Sequence, residues 1–412
     1  MKNLKSTLPA AAALCVIIAA LSCNPFMIDD SFNSSRGETQ NGEKAVLNFS
    51  SGDVLAAAVS FPSGYEWRRD TLYGAVEAKV ILQCNGKSVL SFDAGSGGRI
   101  SAAADAHHLL DGKLYSEGRD GDSTYISLNG EAYLSFSGKE KMKGLMHMDK
   151  VPYILSQRSS GTGFVLRKDG KTVIERTEGA LVGDFSDPFC GASGALFEDS
   201  GHLCFVYYRN ENSSGAREWY FVEDGEESAL SLPKNAATVY DARKVKGKMC
   251  YVYRNNSGKS PIFEVDGKSY DLSKSIKGLT AYNDYRIVEY NGSPAFEGTY
   301  AEQYTKATFT KIWNEKGVLA TFGGECSIYS SGGKSAVIVK GKYNDLICTD
   351  GSNVTIESGV KTMNARCAEY DGGKFYMALS PTVDGRYPEI WDGKVSEDLE
   401  INGFYAAIEV LD

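Results

Sequence analysis

This 412-residue sequence lacks the histidine and cysteine patterns that mark catalytic or metal-binding proteins. Its four histidines are not spaced as metal ligands, and no serine stands in a catalytic-triad or nucleophile-elbow context. The nine cysteines include no CxxC pair, and an odd number remains beyond the two near the N-terminus, so no disulfide pairing is selected. These absences predict no catalytic residues, no metal site and no cofactor.

An excess of positive charge and helical periodicity are also missing. The net charge is −9, which disfavours nucleic acid as a partner. Beyond the N-terminal signal, no segment of useful length places apolar residues at helical spacing. An all-β fold is therefore predicted.

The N-terminus has the features of a secretory signal. Lys2 and Lys5 precede an apolar run, Leu8 to Leu21, that falls short of the roughly 20 residues a membrane-spanning helix needs. Ser22 follows as a small residue at the expected cleavage point. We therefore assign residues 1–22 to a signal peptide.

Cys23 stands directly after this cleavage point, an arrangement that resembles the signal of bacterial lipoproteins. The resemblance implies that Cys23 is acylated, with palmitate as an expected chain, and becomes the mature N-terminus. Ala20 occupies the position where lipoproteins usually have leucine, so an ordinary secretory signal with an incidental cysteine is the alternative. A multi-chain acyl anchor would hold the protein on a membrane more firmly than a single chain.

The segment after the anchor is polar. Residues 23–43 comprise the cysteine and a stretch rich in Asn, Ser, Gly and acidic residues, which predicts a flexible tether. Asp29 and Asp30 resemble the acidic signal that sends some lipoproteins of Bacteroidota-type bacteria to the cell surface. The expected location is the cell envelope, as an outer-membrane lipoprotein that faces the periplasm or the exterior.

Asx-Gly turns between β-rich runs recur along residues 44–412, and such turns are the strongest short-range signal of a β-hairpin. Successive members stand roughly 40 residues apart, which is close to the period of a four-stranded propeller blade. The series is Asn85-Gly86, Asn129-Gly130, Asp169-Gly170, Asp224-Gly225, Asp266-Gly267, Asn314-Glu315-Lys316-Gly317, Asp350-Gly351 and Asp392-Gly393.

A second turn series precedes the first by about half a period. Because each period then has two hairpin turns, it has four strands. The fifth repeat predicts strands over Thr238–Val245, Lys248–Tyr253, Pro261–Val265 and Lys268–Leu272. The second series is Gly52, Gly112, Asp149-Lys150 in the third repeat, Gly201, Gly247, Gly292, Gly333 and Gly372.

The C-terminus indicates how the array ends. Four-stranded units bury both faces only by stacking, and closing the stack removes its exposed ends. Ile401–Asp412 aligns without gaps on Val360–Asp371, the first strand of the preceding repeat, so the last strand is expected to complete the first blade. Residues 44–412 are therefore predicted to form a closed β-propeller of four-stranded antiparallel blades.

Eight blades are expected, or seven, because the first repeat carries an insertion at Phe61–Gly74. A β-solenoid is the structural alternative. The array resembles bacterial β-propeller lipoproteins in architecture, without a specific family motif.

The strand order places both turn series on one side of the ring and the longer loops on the other. Long, varied loops carry function more often than tight turns. Their basic and aromatic residues are candidate ligand-binding residues, since arginine binds anions bidentately and aromatic rings offer flat faces to sugars. The alternative is that each arginine holds only its own loop or a neighbouring blade. The candidates are Arg69, Arg119, Arg158, Arg209, Arg254, Arg386, Trp67 and Tyr304.

A second recurrence lies in the first strands of three repeats. Each copy places a polar residue two positions before an arginine, and such residues share one face of a strand. We expect either an inter-blade hydrogen-bond belt near the axis or a polar site that lines the central channel. The copies are Asp241 and Arg243, Asp284 and Arg286, and Asn364 and Arg366.

Together these features predict a non-catalytic, membrane-tethered, monomeric binding module for glycans or other anionic extracellular ligands. The first alternative is a scaffold subunit that holds partner proteins in an envelope complex, as the architecture of eight-bladed lipoproteins of outer-membrane assembly resembles this one. A glycan-active enzyme is less favoured, because Phe197-Glu198-Asp199-Ser200-Gly201 resembles the Asp-box of sialidases only in part.

Overall fold

Most of the predicted tight turns have positive φ at both central residues, which is the requirement of a type I′ hairpin. Asn85 and Gly86, for example, have φ of 49° and 76°. Asp149 and Lys150 reach the same geometry without glycine, at 52° and 62°. The backbone of these turns therefore matches the right-handed twist of the strands that they join.

The computed structural model describes residues 47–411 apart from short gaps. In these residues, no helix has the length and apolarity that crossing a membrane requires. The gaps are residues 62–65, 69–70, 74–76, 96–98, 104–105, 138, 184–194, 211–216, 234–235, 256–259, 273–278, 303–306, 332, 341–345, 350–351, 356–362, 372–373, 382–388, 392–394 and 399–400.

The described strands form eight successive antiparallel sheets, called blades 1 to 8, each given from first to fourth strand. Blade 1 consists of β35 (Gly403–Val410), β1 (Val54–Ser60), β4 (Glu77–Cys84) and β5 (Lys87–Gly95). Blade 2 consists of β6 (His107–Leu110), β7 (Lys113–Asp120), β8 (Ser123–Leu128) and β9 (Glu131–Ser137). Blade 3 consists of β10 (Glu140–Met148), β11 (Val151–Arg158), β12 (Phe164–Lys168) and β13 (Lys171–Arg176).

Blade 4 has a first strand in two parts. It consists of β14 (Ala180–Leu181) with β15 (Leu196–Asp199), β16 (His202–Asn210), β17 (Arg217–Glu223) and β18 (Glu226–Leu230). Blade 5 consists of β19 (Ala236–Val245), β20 (Lys248–Asn255), β21 (Ile262–Val265) and β22 (Lys268–Asp271).

The remaining three blades have four strands each in the described residues. Blade 6 consists of β23 (Leu279–Tyr290), β24 (Ser293–Glu302), β25 (Thr308–Asn314) and β26 (Gly317–Phe322). Blade 7 consists of β27 (Glu325–Ser331), β28 (Lys334–Lys340), β29 (Leu346–Thr349) and β30 (Ser352–Thr355). Blade 8 consists of β31 (Met363–Asp371), β32 (Lys374–Pro381), β33 (Glu389–Trp391) and β34 (Val395–Asp398).

The C-terminal strand closes the ring. β35 pairs antiparallel with β1, from Val54 opposite Val410 to Ser60 opposite Gly403. β35 also contacts β31 of blade 8 and β6 of blade 2, so blade 1 joins the last blade to the second. The prediction of eight blades, with the final strand completing the first blade, is confirmed.

Apolar side chains fill the space between neighbouring blades. Phe263 of blade 5 and Phe296 of blade 6 are both fully buried, with ring centroids 6.1 Å apart, and Trp313 packs in the same cluster. Comparable clusters join blades 1 and 2, 2 and 3, 3 and 4, 4 and 5, 6 and 7, and 8 and 1. Truncating one such aromatic residue to alanine costs about 3–5 kcal/mol of folding free energy.

Two cysteines are part of this core. Cys204 and Cys250 are each the third residue of a second strand, in blades 4 and 5, and both are fully buried free thiols. Burial raises the pKa of each thiol to about 12. They behave as small apolar residues, as the sequence predicted.

Blade 1 carries an inserted hairpin where the sequence showed an insertion. Its strands are β2 (Glu66–Arg68) and β3 (Thr71–Tyr73), with Trp67 opposite Leu72. The hairpin lies between β1 and β4, the second and third strands of the blade. It therefore belongs to the side of the ring with the longer loops.

Candidate functional site

The two sides of the ring differ in how they are built. The tight-turn face carries the turns between first and second strands and between third and fourth strands. The loop face carries the loops between second and third strands and the connections from each fourth strand to the next blade. The antiparallel order of the strands in each sheet requires this division.

Side chains on the tight-turn face hold the turns of neighbouring blades. The Gly247 amide in blade 5 donates to both carboxylate oxygens of Asp199 in blade 4, at 3.2 and 3.0 Å. The Gly112 amide in blade 2 donates to Glu409 in blade 1 at 3.0 Å. These polar groups therefore form hydrogen bonds between neighbouring blades. Further contacts between blades are made by Asp111 with His147, Lys246 with Glu289, and Asn291 with Ser335.

Four predicted arginines occupy one structural position on the loop face. Arg119, Arg158, Arg209 and Arg254 are the last or next-to-last residues of the second strands of blades 2, 3, 4 and 5. Arg119, Arg209 and Arg254 are exposed, and Arg158 is about one-third exposed. The fold thus presents four cations in series on one face.

Two of these arginines are paired within their own blade. Arg158 Nη2 lies 2.6 Å from Glu175 Oε1, and Arg209 Nε lies 2.6 Å from Glu218 Oε2. Tyr220 also donates to Glu218 Oε2 at 2.8 Å. Hydrogen bonds from Tyr220 and then Arg209 hold the pKa of Glu218 below its usual value. Arg158 and Arg209 therefore each form an ion pair within their own blade, as the alternative in the sequence analysis expects.

Blade 4 adds aromatic rings beside its arginines. The Arg209 guanidinium lies 4.6 Å from the ring centroid of Tyr220, and that of Arg217 lies 4.3 Å from Tyr208. Tyr208 in turn packs against Trp219 at 5.1 Å. The sequence analysis missed these three rings. The consecutive aromatic residues in each strand, Tyr207-Tyr208 in β16 and Trp219-Tyr220-Phe221 in β17, were the signal that could have found them.

The other candidates on the loop face are only partly described. Trp67 lies in the inserted hairpin of blade 1, but its side chain is outside the described part of the structure. Arg69, Tyr304 and Arg386 fall in the gaps, and Cys23 precedes the described residues. Their predicted roles remain predictions.

The first copy of the motif that places a polar residue two positions before an arginine, Asp241 and Arg243, contacts both neighbouring blades. Asp241 is buried, and its Oδ2 accepts a hydrogen bond from the Ile287 amide of blade 6 at 2.8 Å. Burial raises the pKa of Asp241, against the lowering effects of the Arg243 charge and two backbone amides. The Arg243 guanidinium lies 4.7 Å from the ring centroid of Phe197 in blade 4. Of the two arrangements that the sequence predicts, Asp241 and Arg243 therefore form the contacts between blades.

The three copies of this motif are not structurally equivalent, contrary to the sequence analysis. Arg243 lies opposite the third residue of its second strand, whereas Arg286 lies opposite the fifth, Glu297. Arg286 Nη2 forms a buried ion pair with Glu297 Oε1 at 3.0 Å, within its own blade.

This difference follows from the distance to the turn, because Arg243 lies four residues before Gly247 and Arg286 lies six residues before Gly292, with no shift in pairing between either arginine and its turn. Bulges displace other members of the motif. Asp284 and Arg366 both fall at shifts in strand pairing, and Asn364 lies beyond the second of these shifts, opposite Ser380. A bulge adds an unpaired residue, so equal spacing in sequence does not give equal position. The side chains of Asp284, Asn364 and Arg366 are outside the described part of the structure.

The chain is thus an eight-bladed β-propeller in which one face has turns held by contacts between blades, and the other has a series of arginines with partly buried aromatic rings beside those of blade 4. No protein-family profile matches the chain, and no curated protein matches it. Among solved structures, it is similar to dihydro-heme d1 dehydrogenase NirN, at 11% identity over 98% of this chain and 86% of that chain, with a TM-score of 0.49.

Two further solved structures are similar at the same low level. An acylaminoacyl peptidase from Pyrococcus horikoshii is 10% identical over 81% of this chain and 57% of its own, with a TM-score of 0.41. TolB from Acinetobacter baumannii is 14% identical over 86% and 66%, with a TM-score of 0.29. This chain therefore spans little more than half of the peptidase. Likeness at these identities assigns no activity to it.

Proposed function

We propose that this protein is an extracytoplasmic binding module that receives acidic glycans on the loop face of its propeller. One observation carries the proposal: four consecutive blades present an arginine at the same loop-face position. On the opposite face, several polar groups, among them Asp199, Glu409 and Lys246, are instead engaged in contacts between blades. A row of cations on one face of an acidic protein is suited to an extended polyanion.

The arginine–glutamate pairs are compatible with ligand binding. Both pairs are substantially exposed, and exposed ion pairs contribute only about 0–1 kcal/mol to stability. Arg158 and Arg209 can therefore exchange Glu175 and Glu218 for a ligand carboxylate or sulfate at little cost. Arginine binds such groups bidentately, and Tyr208 and Tyr220 offer rings for the sugar backbone.

The predicted acylation of Cys23 would attach this binding module to a membrane. An anchored N-terminus followed by a polar tether would hold the propeller near the membrane of the cell envelope. Retention of the mature protein in the detergent phase, and its loss in a Cys23→Ala variant, are the expected behaviour.

Binding to polygalacturonate, with neutral dextran as the comparison, tests the proposal on the full-length protein in detergent. The variant Arg119→Ala, Arg158→Ala, Arg209→Ala, Arg254→Ala is expected to weaken polygalacturonate binding at least tenfold. A matched variant, Lys87→Ala, Lys171→Ala, Lys248→Ala, Lys268→Ala, makes the same change in net charge beside the tight turns. It should retain near-parental binding.

Equal loss of binding in the two variants would reduce the effect to net charge and contradict the proposal. Indifference to acidic polysaccharides, together with crosslinking of the loop face to an envelope protein in native membranes, would instead favour the scaffold function.

A further inference from the structure

A cavity of about 430 Å³ lies on the side of blade 5 that faces blade 4. Its roof is the connection between these blades, Ser231 to Pro233, which is fixed by a hydrogen bond from the Tyr251 hydroxyl to the Ser231 carbonyl at 3.3 Å. Asn255, the last residue of β20, and Ile262, the first of β21, line its loop-face end. The volume falls within the range of small-molecule sites.

Strand pairing gathers polar side chains on one wall of this cavity. Glu264 lies opposite Tyr251 in one neighbouring strand and opposite Ser269 in the other, so all three side chains share a face of blade 5. Glu264 Oε2 accepts hydrogen bonds from Ser269 Oγ at 2.7 Å and from the Tyr253 hydroxyl at 3.0 Å. The carboxylate is thereby held in one orientation.

This wall is rich in acceptors. Glu264 is only 8% exposed, and its hydrogen-bond partners in the described part of the structure are hydroxyl groups rather than a cation. The Oδ1 atom of Asn255 is buried and accepts no hydrogen bond from any described residue. A buried acceptor without a donor costs about 1–3 kcal/mol. The two acceptors lie toward different ends of the cavity, because Asn255 is four residues along β20 from Tyr251, the strand partner of Glu264. A ligand that brings a positively charged donor to Glu264 would supply a counter-charge to the buried carboxylate.

The remaining walls suit the body of such a ligand. Leu232, Pro233 and Ile262 supply apolar surface, and the Tyr253 ring lies beside the carboxylate. Aromatic faces and buried carboxylates both attract ammonium groups.

We propose that this cavity is a binding site for a small organic ammonium compound, with Glu264 as the acceptor for the ammonium group and Asn255 at the loop-face end of the cavity. The site is separate from the arginines of the loop face and selects the opposite charge. The propeller thus has a small-molecule site between blades 4 and 5 in addition to its polyanion surface.

Cyclohexylamine is a suitable probe, with cyclohexanol as its neutral counterpart of similar shape. Saturation-transfer NMR on the full-length protein in detergent, at constant salt, should show saturable binding of the amine and none of the alcohol. Glu264→Gln should weaken amine binding at least tenfold. Glu226→Gln, which removes an exposed carboxylate beside a tight turn, is the matched control and should leave binding unchanged.

A second variant separates binding from folding. Because Asn255 lines the loop-face end of the cavity and its Oδ1 has no described partner, Asn255→Ala should leave the free energy of unfolding unchanged or raise it, and should weaken amine binding less than Glu264→Gln does. Equal amine binding by the parent and Glu264→Gln proteins would overturn the proposal, as would equal binding of amine and alcohol. Polygalacturonate binding by the Glu264→Gln variant should stay at the parental level, so this test is independent of the proposed glycan function.

Discussion

At the scale of single residues, the loop-face arginines differ in how they are held. Arg158 and Arg209 each have a glutamate within 2.6 Å, whereas Arg119 and Arg254 are exposed. A paired arginine is already oriented for a carboxylate, so a ligand carboxylate meets a preformed geometry. The ligand must also displace the carboxylate of Glu175 or Glu218 from that arginine. The glutamates therefore act as competitors of an anionic ligand.

This competition predicts a gain of affinity on removing the competitors. Glu175→Gln with Glu218→Gln is expected to strengthen polygalacturonate binding several-fold, since each substitution frees an arginine and removes a repelling charge. Titration by calorimetry against the parent protein measures the change.

The control for this effect is Glu226→Gln with Glu315→Gln, which neutralises two exposed carboxylates in the turns of the tight-turn face. It should alter affinity far less. A loss of affinity in the Glu175 and Glu218 variant would show that the pairs position the arginines for the ligand and do not compete with it.

At the scale of strands and turns, the sequence predicted elements better than the registers between them. Asx-Gly pairs locate hairpins because type I′ turns demand positive φ, and the Asp149-Lys150 turn was found through the spacing of its neighbours. The positions of Asp284 and Arg366 could not be found in this way. A bulge is decided by the packing of its strand against adjacent blades, and no local residue pattern marks it.

The Asp149-Lys150 turn carries strain that glycine would remove. Lys150 has a φ of 62°, a conformation that glycine adopts without steric cost, and its side chain is exposed. Lys150→Gly is expected to stabilise the protein by about 0.5–1 kcal/mol. Urea unfolding measures the difference.

The matched substitution for the turn is Lys171→Gly, in the first position of β13, where the backbone is extended. There, glycine should destabilise by about 0.5–1 kcal/mol. A destabilising Lys150→Gly would show that the lysine side chain contributes a contact greater than the backbone strain.

At the scale of the whole molecule, closure of the ring was predictable because the last strand repeats the pattern of earlier first strands. The residues that form the candidate binding sites were less predictable. The cavity between blades 4 and 5 depends on how the side chains of three adjacent strands of blade 5 meet the connection from blade 4, and Glu264, Ser269 and Asn255 follow no motif in the sequence. A repeat pattern predicts the number of blades and the order of their strands. The surfaces between blades depend on how the side chains of each pair of blades pack.

Closure has a direct consequence for chain connectivity. The Gly52 amide donates to the Leu411 carbonyl at 2.7 Å, so the two residues lie where a turn between first and second strands would stand. A permuted chain that joins Leu411 to Gly52 through a short linker and begins at Gly267, in an exposed turn of blade 5, should fold to the same propeller. Its urea unfolding should be cooperative, with a midpoint close to that of the parent.

Deletion of residues 403–412 is the complementary variant. It removes β35, leaves the edge of β1 unpaired and exposes the apolar faces of blades 2 and 8 that β35 covers. We expect aggregation or loss of cooperative unfolding. A permuted chain that fails to fold, alongside a truncated chain with parental stability, would mean that the ring does not depend on the pairing of β35 with β1.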